Sequence, residues 1–373
     1  MKIKKNNQKV IFCTFANFRA GTYGDAINDR KLYKAIPAKY NKLAIFPLYK
    51  KNNKIPIKAI LKFYAHYLKE IVISNNIIIT RGGKLAILPI LLRPFFKNKV
   101  VLRLGCTPLM FVERKAFLYK ENLLNKIFYF FEPQLEKFAL RHADRFIVEN
   151  NVAKRIIFRY GAKSYKIKII PYYIQDYFLH GTNPDFNKEF DFFKIGYIGR
   201  FKKYDLLNPI VHAVNLLIQN KYKIKLFLIG DGPNRKAVEN LVKKLHINEN
   251  IKFLGSKSHI EVSRVINEYH CLIAPMLSKL CPSTIAIKIL EGVMNGKIII
   301  TTESGNNPSL FLNNNDLILK DASFEDIEKK IEIVIKNYKY YKETSEKIRD
   351  YHLKFRSKSI STKKLDNLLT EII

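Results

Sequence analysis

The chain is short of acidic residues, of cysteine and of long apolar runs, and each shortage removes a class of protein. Its 373 residues hold 32 Asp+Glu against 66 Lys+Arg, a formal net charge of +34. An acidic, solvating or cation-storing protein is excluded. There are four cysteines, Cys13, Cys106, Cys271 and Cys281, and no two of them form a C-x-x-C pair. Neither a zinc site nor a disulfide framework is suggested, which fits a reducing, cytoplasmic setting. The longest greasy stretch, "LAILPILLRPFF", contains Pro89 and Arg93 and is too short to span a bilayer, so no transmembrane helix is expected. The start, "MKIKKNNQKVIFCTFANFRAG", has basic residues and a short apolar run with no small-residue cleavage site after it. That run reads as a first β-strand, not a leader.

What is present is an ordinary globular composition, 47% hydrophobic, in a chain long enough for two domains with separate cores. The charge is unevenly placed. Residues 1–180 carry 35 Lys+Arg against 10 Asp+Glu, a net +25, and the remainder carries 31 against 22, a net +9. A basic half implies an anionic partner: nucleic acid, anionic lipid headgroups or phosphorylated ligands. Enrichment in Lys, Asn and Ile throughout accounts for part of the total but less well for the asymmetry.

Short apolar runs alternate with longer amphipathic segments from end to end. The strand candidates of the first half are "KVIFCTFA", "KLAIFPL", "NNIIIT", "KVVLRLG", "DRFIVEN" and "KIKIIPYY". Those of the second are "FFKIGYIG", "KIKLFLIG", "NIKFLG", "CLIAP" and "KIIIT". Near-continuous apolar strands separated by helices indicate parallel sheets covered on both faces. The expectation is an α/β chain of two doubly wound, Rossmann-like domains facing a central cleft. The boundary is expected in the polar stretch "LHGTNPDFNKEFDFF", residues 179–193. The N-terminal domain would then run over 1–180 and the second over 181–345. The tail has Leu365, Leu368, Leu369 and Ile372 at helical spacing, so residues 346–373 should pack against a domain.

In open α/β sheets ligands bind beyond the carboxyl ends of the strands, so four strand-to-helix loops are candidates. The first, "NFRAGTYGDAIND", has Gly21, Thr22 and Gly24 before a helix whose start could face an anion; Asp25 could instead cap that helix. The second, "YIGRFKKYD", turns at Gly199 and sets Arg200, Lys202 and Lys203 at a strand end, a set suited to a diphosphate or to solvent. The third, "LIGDGPNRKAVENL", turns at Gly230 and Gly232, with Pro233 at a helix start, as a ligand loop or as punctuation. The fourth leads into "STIAIKILEGVMNGK", a helix expected to begin near Ser283 or Thr284. It is apolar nearly all round except for Lys288, Glu291 and Asn295, which share one stripe. Glu291 would lie about two turns in. Lys288 either pairs with Glu291 three residues on or meets a ligand.

Taken together, "YIGRF", "LFLIGDGP", "IKFLG", "CLIAP" and "IKILEGVMNGKIIITT" stand in the order and spacing of a known family. The second half resembles the nucleotide-sugar domain of the GT-B glycosyltransferases of family 4, the "glycosyl transferases group 1" set. The first half agrees more loosely, through "RHADRFIVENNVAKRIIFRYGAKSYKIKIIPYYIQDYF", and the final helix resembles the family's return to the N-terminal, acceptor-binding domain. The resemblance implies a retaining, metal-independent transferase of hexosyltransferase type, with a nucleotide-diphospho-sugar as donor substrate and no cofactor. No D-x-D motif is present, compatible with that. It implies that Glu291 binds the donor ribose and that Arg200, beside Gly199, binds the diphosphate. The family's second cation position falls on Asp205 and Leu206, which leaves Lys202 and Lys203 for that role. Ser283 stands where the family's earlier glutamate would be, and Lys288 agrees with a variant of the motif that has serine there. The amides and hydroxyls of Ser283, Thr284 and Ile285 are then expected to hold the donor sugar or β-phosphate. Many members have a histidine after a central strand of the first domain; "VVLRLGCTP" has Arg103 and none. No catalytic acid or base can be assigned.

The same resemblance gives the basic half a role, because many of the family's acceptors are glycans or lipid-linked. An anionic membrane face is the expected partner, with the protein peripheral on its cytoplasmic side. "RPFFKNK" and "KENLLNKIFYFFEPQLEKFAL", with Phe128, Tyr129, Phe130 and Phe131, are suited to it or to internal packing. Nucleic acid is not expected, since the basic residues are dispersed and no binding motif is found. Two other readings compete: a non-catalytic GT-B homologue that binds sugar or scaffolds polysaccharide assembly, and another GT-B activity such as a phosphorylase or epimerase.

Overall fold

The computed structural model describes residues 6–15, 24–47, 55–73, 75–105, 123–179, 181–189, 191–202, 206–275, 285–303, 307–312 and 314–373. Among them the chain divides into two compact units. The first holds residues 1–173 and 356–373, and the second holds 174–355.

The first unit contains β1 (Asn6–Cys13), β2 (Tyr40–Ile45), β3 (Ile77–Arg81), β4 (Lys99–Leu104), β5 (Arg145–Val148) and β6 (Ile167–Ile169). They form one sheet in the order β2-β1-β3-β4-β5-β6, and the pairs are parallel. The second unit contains β7 (Phe193–Ile198), β8 (Ile224–Ile229), β9 (Ile251–Gly255), β10 (Cys271–Ala274), β11 (Ile298–Thr302) and β12 (Ile318–Leu319). Their order is β12-β11-β10-β7-β8-β9, again in parallel. Each apolar run that reads as a strand in the sequence is one. The two-residue β12 was not among them, because two residues show no periodicity.

The strands form where they do because their residues tolerate burial on both faces. Ile77, Ile78 and Ile79 of β3 and every residue of β11 are buried. Such strands need helices on both sides. In the first unit one covering helix comes from the far end of the chain. The helix Lys358–Thr370 buries Leu365, Leu368 and Leu369 in one cluster with Val10, Phe12, Ile36 and Tyr40. Tyr40 Oη donates to Asp366 and Lys39 pairs with the same carboxylate, which fixes the docking.

In the second unit the segment that follows residue 173 is held across the amino end of the sheet. Lys297, 1% exposed, donates from Nζ to the carbonyls of Thr182, Asn267 and Tyr269 at 2.5, 3.3 and 3.2 Å. Burial pulls its pKa down to about 7. Asn183 donates to the Gly296 carbonyl, Asn295 to that of Phe178, and Arg349 to that of Gly181. A Cβ on Gly181 would lie 2.1 Å from Asn295, so only glycine fits there.

His270 completes this end. It accepts at Nδ1 from the Lys194 amide at 2.8 Å, so its proton sits on Nε2 and points to the Asp185 carbonyl at 3.3 Å. Burial lowers its pKa to about 4. Below the ordinary histidine pKa of about 6.5 the unfolded chain therefore binds a proton that the folded one refuses. Folding stability should fall as pH drops from about 6.5 toward 4. Denaturant unfolding across that window should show the loss, and His270→Asn, which keeps an acceptor without the titration, should flatten it.

Candidate functional site in the second unit

The strand order of the second sheet reverses beside β7, whose neighbours are β8 on one side and β10 on the other. At such a switch point the loops after the central strands leave in opposite directions and a ligand crevice opens between them. The loop after β7 is the Gly199 turn, and the helix after β10 is the one that carries Glu291. Topology therefore places the two strongest sequence candidates at the same point.

The Gly199 turn is packed from beneath by a second glycine. Gly230, at the end of β8, has φ +132°, and a Cβ built there would lie 1.8 Å from the Gly199 carbonyl oxygen. A Cβ on Gly232 would likewise crowd Phe201, at 2.7 Å from its carbonyl oxygen. These glycines serve loop-to-loop contact. Pro233 precedes the helix Arg235–Lys244 instead of opening it, and Asn234 is the cap. Of the cations, Arg200 is exposed and Lys202 half-buried.

The helix of the fourth loop runs over Ile287–Met294, so it begins about a turn later than its apolar pattern implied. Ile285 is buried and Ala286 is extended, with ψ 128°, which delays the start. Glu291 consequently lies one turn in, not two. Its helix fits tightly against the sheet: a Cβ on Gly292 would lie 2.6 Å from Ile299 and 2.9 Å from Leu272. The polar stripe of this helix splits three ways. Lys288 Nζ sits 4.7 Å above the ring centre of buried Tyr197, a cation–π contact. A Cβ on Gly199 would lie 3.0 Å from that same Nζ, so Lys288 reaches the Gly199 turn. Glu291, 6% exposed, has its Oε1 3.2 Å from Nδ1 of His259. Asn295 holds the segment that follows residue 173, through the Phe178 carbonyl.

Gly199, Arg200, Lys202, Ile285, Lys288 and Glu291 thus lie in the second unit on two segments that meet. Lys203, Ser283 and Thr284 lie outside the described residues, as do Gly21 and Thr22 of the first unit. Gly24 is the first residue of the helix Gly24–Ala35, so Asp25 sits inside that helix and not at its cap.

Sequence reasoning missed two arrangements. One is His259, which lies 32 positions from Glu291 in a polar stretch without a motif. The other belongs to the first unit, where strand ends carry a buried ionic cluster. Arg103, 2% exposed, has Nη1 3.4 Å from Asp29 and Nη2 3.5 Å from Glu149, and it also contacts the Tyr172 phenol. Asp29 accepts from Thr14 at 2.7 Å and from Arg81 at 3.3 Å. A small hollow opens beside Arg103, Glu149, Lys31 and Tyr172.

Residues 183–351 match the family model of the glycosyl transferases group 1. The match covers both segments of the site. An uncharacterized glycosyltransferase of Methanocaldococcus jannaschii is 23% identical over 261 residues, 67% of this chain and 59% of its own length. The N-acetyl-alpha-D-glucosaminyl L-malate synthase of Bacillus anthracis is 26% identical over 114 residues, 31% of this chain and 28% of the synthase. The chain thus spans less than two thirds of either relative. Among solved structures, the sucrose-phosphate synthase of Thermosynechococcus elongatus superposes with TM-score 0.76 at 14% identity, over 98% of this chain and 99% of that one. The Anabaena protein HepE, in complex with UDP and glucose, gives 0.72 at 12% identity, over 98% and 100%. WaaG, a glycosyltransferase involved in lipopolysaccharide biosynthesis, gives 0.66 at 14%, over 96% and 99%. The fold is that of the GT-B glycosyltransferases, two α/β units each built on a six-stranded parallel sheet.

The Gly230–Gly199 contact gives a direct test of the loop packing. Gly230→Ala adds a Cβ where the Gly199 carbonyl already stands and strains a positive φ, so it should destabilise the protein by about 2–4 kcal/mol. Thermal unfolding measures it.

Proposed function

We propose that this protein is a retaining, metal-independent hexosyltransferase of GT-B family 4 that takes its sugar from a nucleotide-diphospho-sugar. One observation carries the reading: the buried carboxylate of Glu291 lies on the helix whose Lys288 reaches the Gly199 turn, at the switch point of the second sheet. A carboxylate accepts hydrogen bonds from both hydroxyls of a vicinal diol, which suits the ribose of the donor. Arg200, Lys202 and Lys203 are the cations for the diphosphate, and Lys288 adds a fourth from the facing helix. Ser283, Thr284 and Ile285 are assigned to the sugar or its phosphate, and the Gly21–Thr22–Gly24 loop of the first unit to the acceptor side.

The chemistry follows from charge. As the bond from the anomeric carbon to the diphosphate oxygen breaks, negative charge grows on the leaving group. Fixed cations at a strand end stabilise it where it forms. The acceptor hydroxyl then bonds to the anomeric carbon from the same face, and its proton passes to the leaving phosphate. No protein nucleophile and no metal is required by this route.

A glycan or lipid-linked acceptor at the cytoplasmic face of an anionic membrane is the second part of the proposal. The surface of the first unit supports it at a place the sequence did not single out. The helix Ile57–Ile71 buries Phe63, Tyr67 and Ile71 against the sheet. Its flank exposes Ile57, Leu61, Tyr64 and Leu68, spaced four, three and four residues apart. Lys58, Lys62 and Lys69 flank them, and the one acid of this helix, Glu70, is buried and paired with Lys9 at 2.7 Å. Phe95, 74% exposed in "RPFFKNK", adds to the apolar surface of this unit. Phe131 is exposed on the helix Leu123–His142, while the side chains of Phe128, Tyr129 and Phe130 lie outside the described residues. An apolar stripe edged with lysine suits an anionic bilayer surface. Among the described residues no helix is long and apolar enough to cross a membrane.

Two measurements test these parts separately. In a thermal-shift screen against UDP, GDP, ADP and TDP sugars, at least one should raise the melting temperature, since a ligand at a hundred times its Kd adds about 2.7 kcal/mol. Glu291→Ala should abolish that shift. Silence with all four, or a shift untouched by the substitution, would refute the donor site. For the surface, the protein should co-sediment with phosphatidylglycerol vesicles at low ionic strength and come off at high salt. Leu61→Glu with Leu68→Glu should prevent binding; if binding persists, the stripe is not the contact.

A further inference from the structure

Glu291 is a buried carboxylate, and the side chain that stands against it is His259. His259 is the first residue of the helix His259–Val265, in the loop after β9. Its backbone is held by a reciprocal cap. The Ser258 amide donates to Glu261 Oε2 at 2.8 Å, and the Glu261 amide donates to Ser258 Oγ at 3.3 Å. Its ring stands edge-on to Phe178, centroids 6.4 Å apart and planes at 84°, and Phe178 is fully buried. From that position Nδ1 lies 3.2 Å from Glu291 Oε1. The histidine is 36% exposed in its side chain and the carboxylate 8%, so the pair bridges from the interior to the mouth of the site.

We infer that His259 is a positioning residue for the donor ribose: its imidazole, at ion-pair distance from Oε1, restricts the carboxylate plane of Glu291, so that the site selects a nucleotide with an intact ribose diol. The inference rests on the donor-site reading above. A carboxylate free to rotate at the end of two methylene groups would meet the diol in many orientations. One oxygen anchored to a capped loop leaves the group a single presentation, and that preorganisation favours ligands able to use it. The role joins the loop after β9 to the helix after β10, two elements otherwise separate in function. His259 is not assigned to the reacting atoms.

The experiment compares UDP with 2′,3′-dideoxy-UDP, and GDP with its dideoxy form, by calorimetric titration of the full-length protein. Wild type should prefer each intact nucleotide by about tenfold or more, as expected for hydrogen bonds to a charged group. His259→Ala should lose most of that preference: UDP binding weakens, while dideoxy-UDP binding is unchanged. His259→Asn, whose amide can donate from nearly the same place, should restore it. A general structural role predicts that both nucleotides weaken together, and that outcome overturns the inference, as does an undiminished preference in His259→Ala. Glu291→Ala separates the two levels. If it loses the preference while His259→Ala keeps it, only the present inference falls. If Glu291→Ala keeps the preference, or wild type binds none of UDP, GDP and ADP, the ribose assignment itself falls and takes this one with it.

Discussion

Parallel strands buried on both faces leave polar chemistry nowhere to go but the strand ends, and the arrangement of this protein follows from that. β11 shows the constraint at its strongest. Its five residues are all buried, and Thr301 meets the requirement for satisfied polar groups by donating to the Ala274 carbonyl at 2.9 Å. At the amino end of the same sheet, Lys297 turns its ammonium to three carbonyls and holds the linker. At the carboxyl end, Tyr197, Gly199, Lys288 and Glu291 gather around the switch point. One helix, Ile287–Met294, connects the two ends. Its polar stripe supplies Lys288 to one end and Asn295 to the other, with Glu291 between them.

The same constraint accounts for the glycines. Two loops from neighbouring strand ends can stack only if their backbones approach closely. Gly199 and Gly230 allow that, and neither needs to contact a ligand for the site to depend on it. A residue with a side chain at 230 would separate the loops and carry the Arg200 turn away from the facing helix. Glycine here sets the shape of the site from one layer below.

The first unit meets the constraint with charge. Arg103 is nearly inaccessible, yet two carboxylates stand within 3.5 Å of its guanidinium. Burying ions without partners is very costly, so such a cluster is either complete or destabilising. Arg356, where the chain returns to this unit, belongs to the same neighbourhood: it donates to the Tyr172 carbonyl, and burial lowers its pKa to about 10 against the pull of Glu149. The strand ends share the basic excess of this half, since Arg81, Arg103, Arg356 and Lys31 stand with two carboxylates, Asp29 and Glu149. The stripe on the helix Ile57–Ile71, with lysines and no exposed acid, is where that excess meets apolar side chains.

Strand runs, turns and the isolated carboxylate of a greasy helix could all be read directly from the chain, because they depend on local patterns. Burial on both faces writes itself as unbroken Ile and Val, and a charge in such a helix stands out at once. Tertiary structure decided the remainder. The helix carrying Glu291 starts at Ile287 because the backbone at Ala286 is extended, which its apolar periodicity does not reveal. In the helix Ile57–Ile71 the apolar arc is wider than one buried face, and only the sheet decides that Phe63 and Tyr67 turn inward while Leu61 and Leu68 face out. His259 meets Glu291 across 32 residues of chain. No spacing rule reaches that far, because the distance between them is set by how β9 and β10 flank β7 and β8, and not by the sequence that separates them.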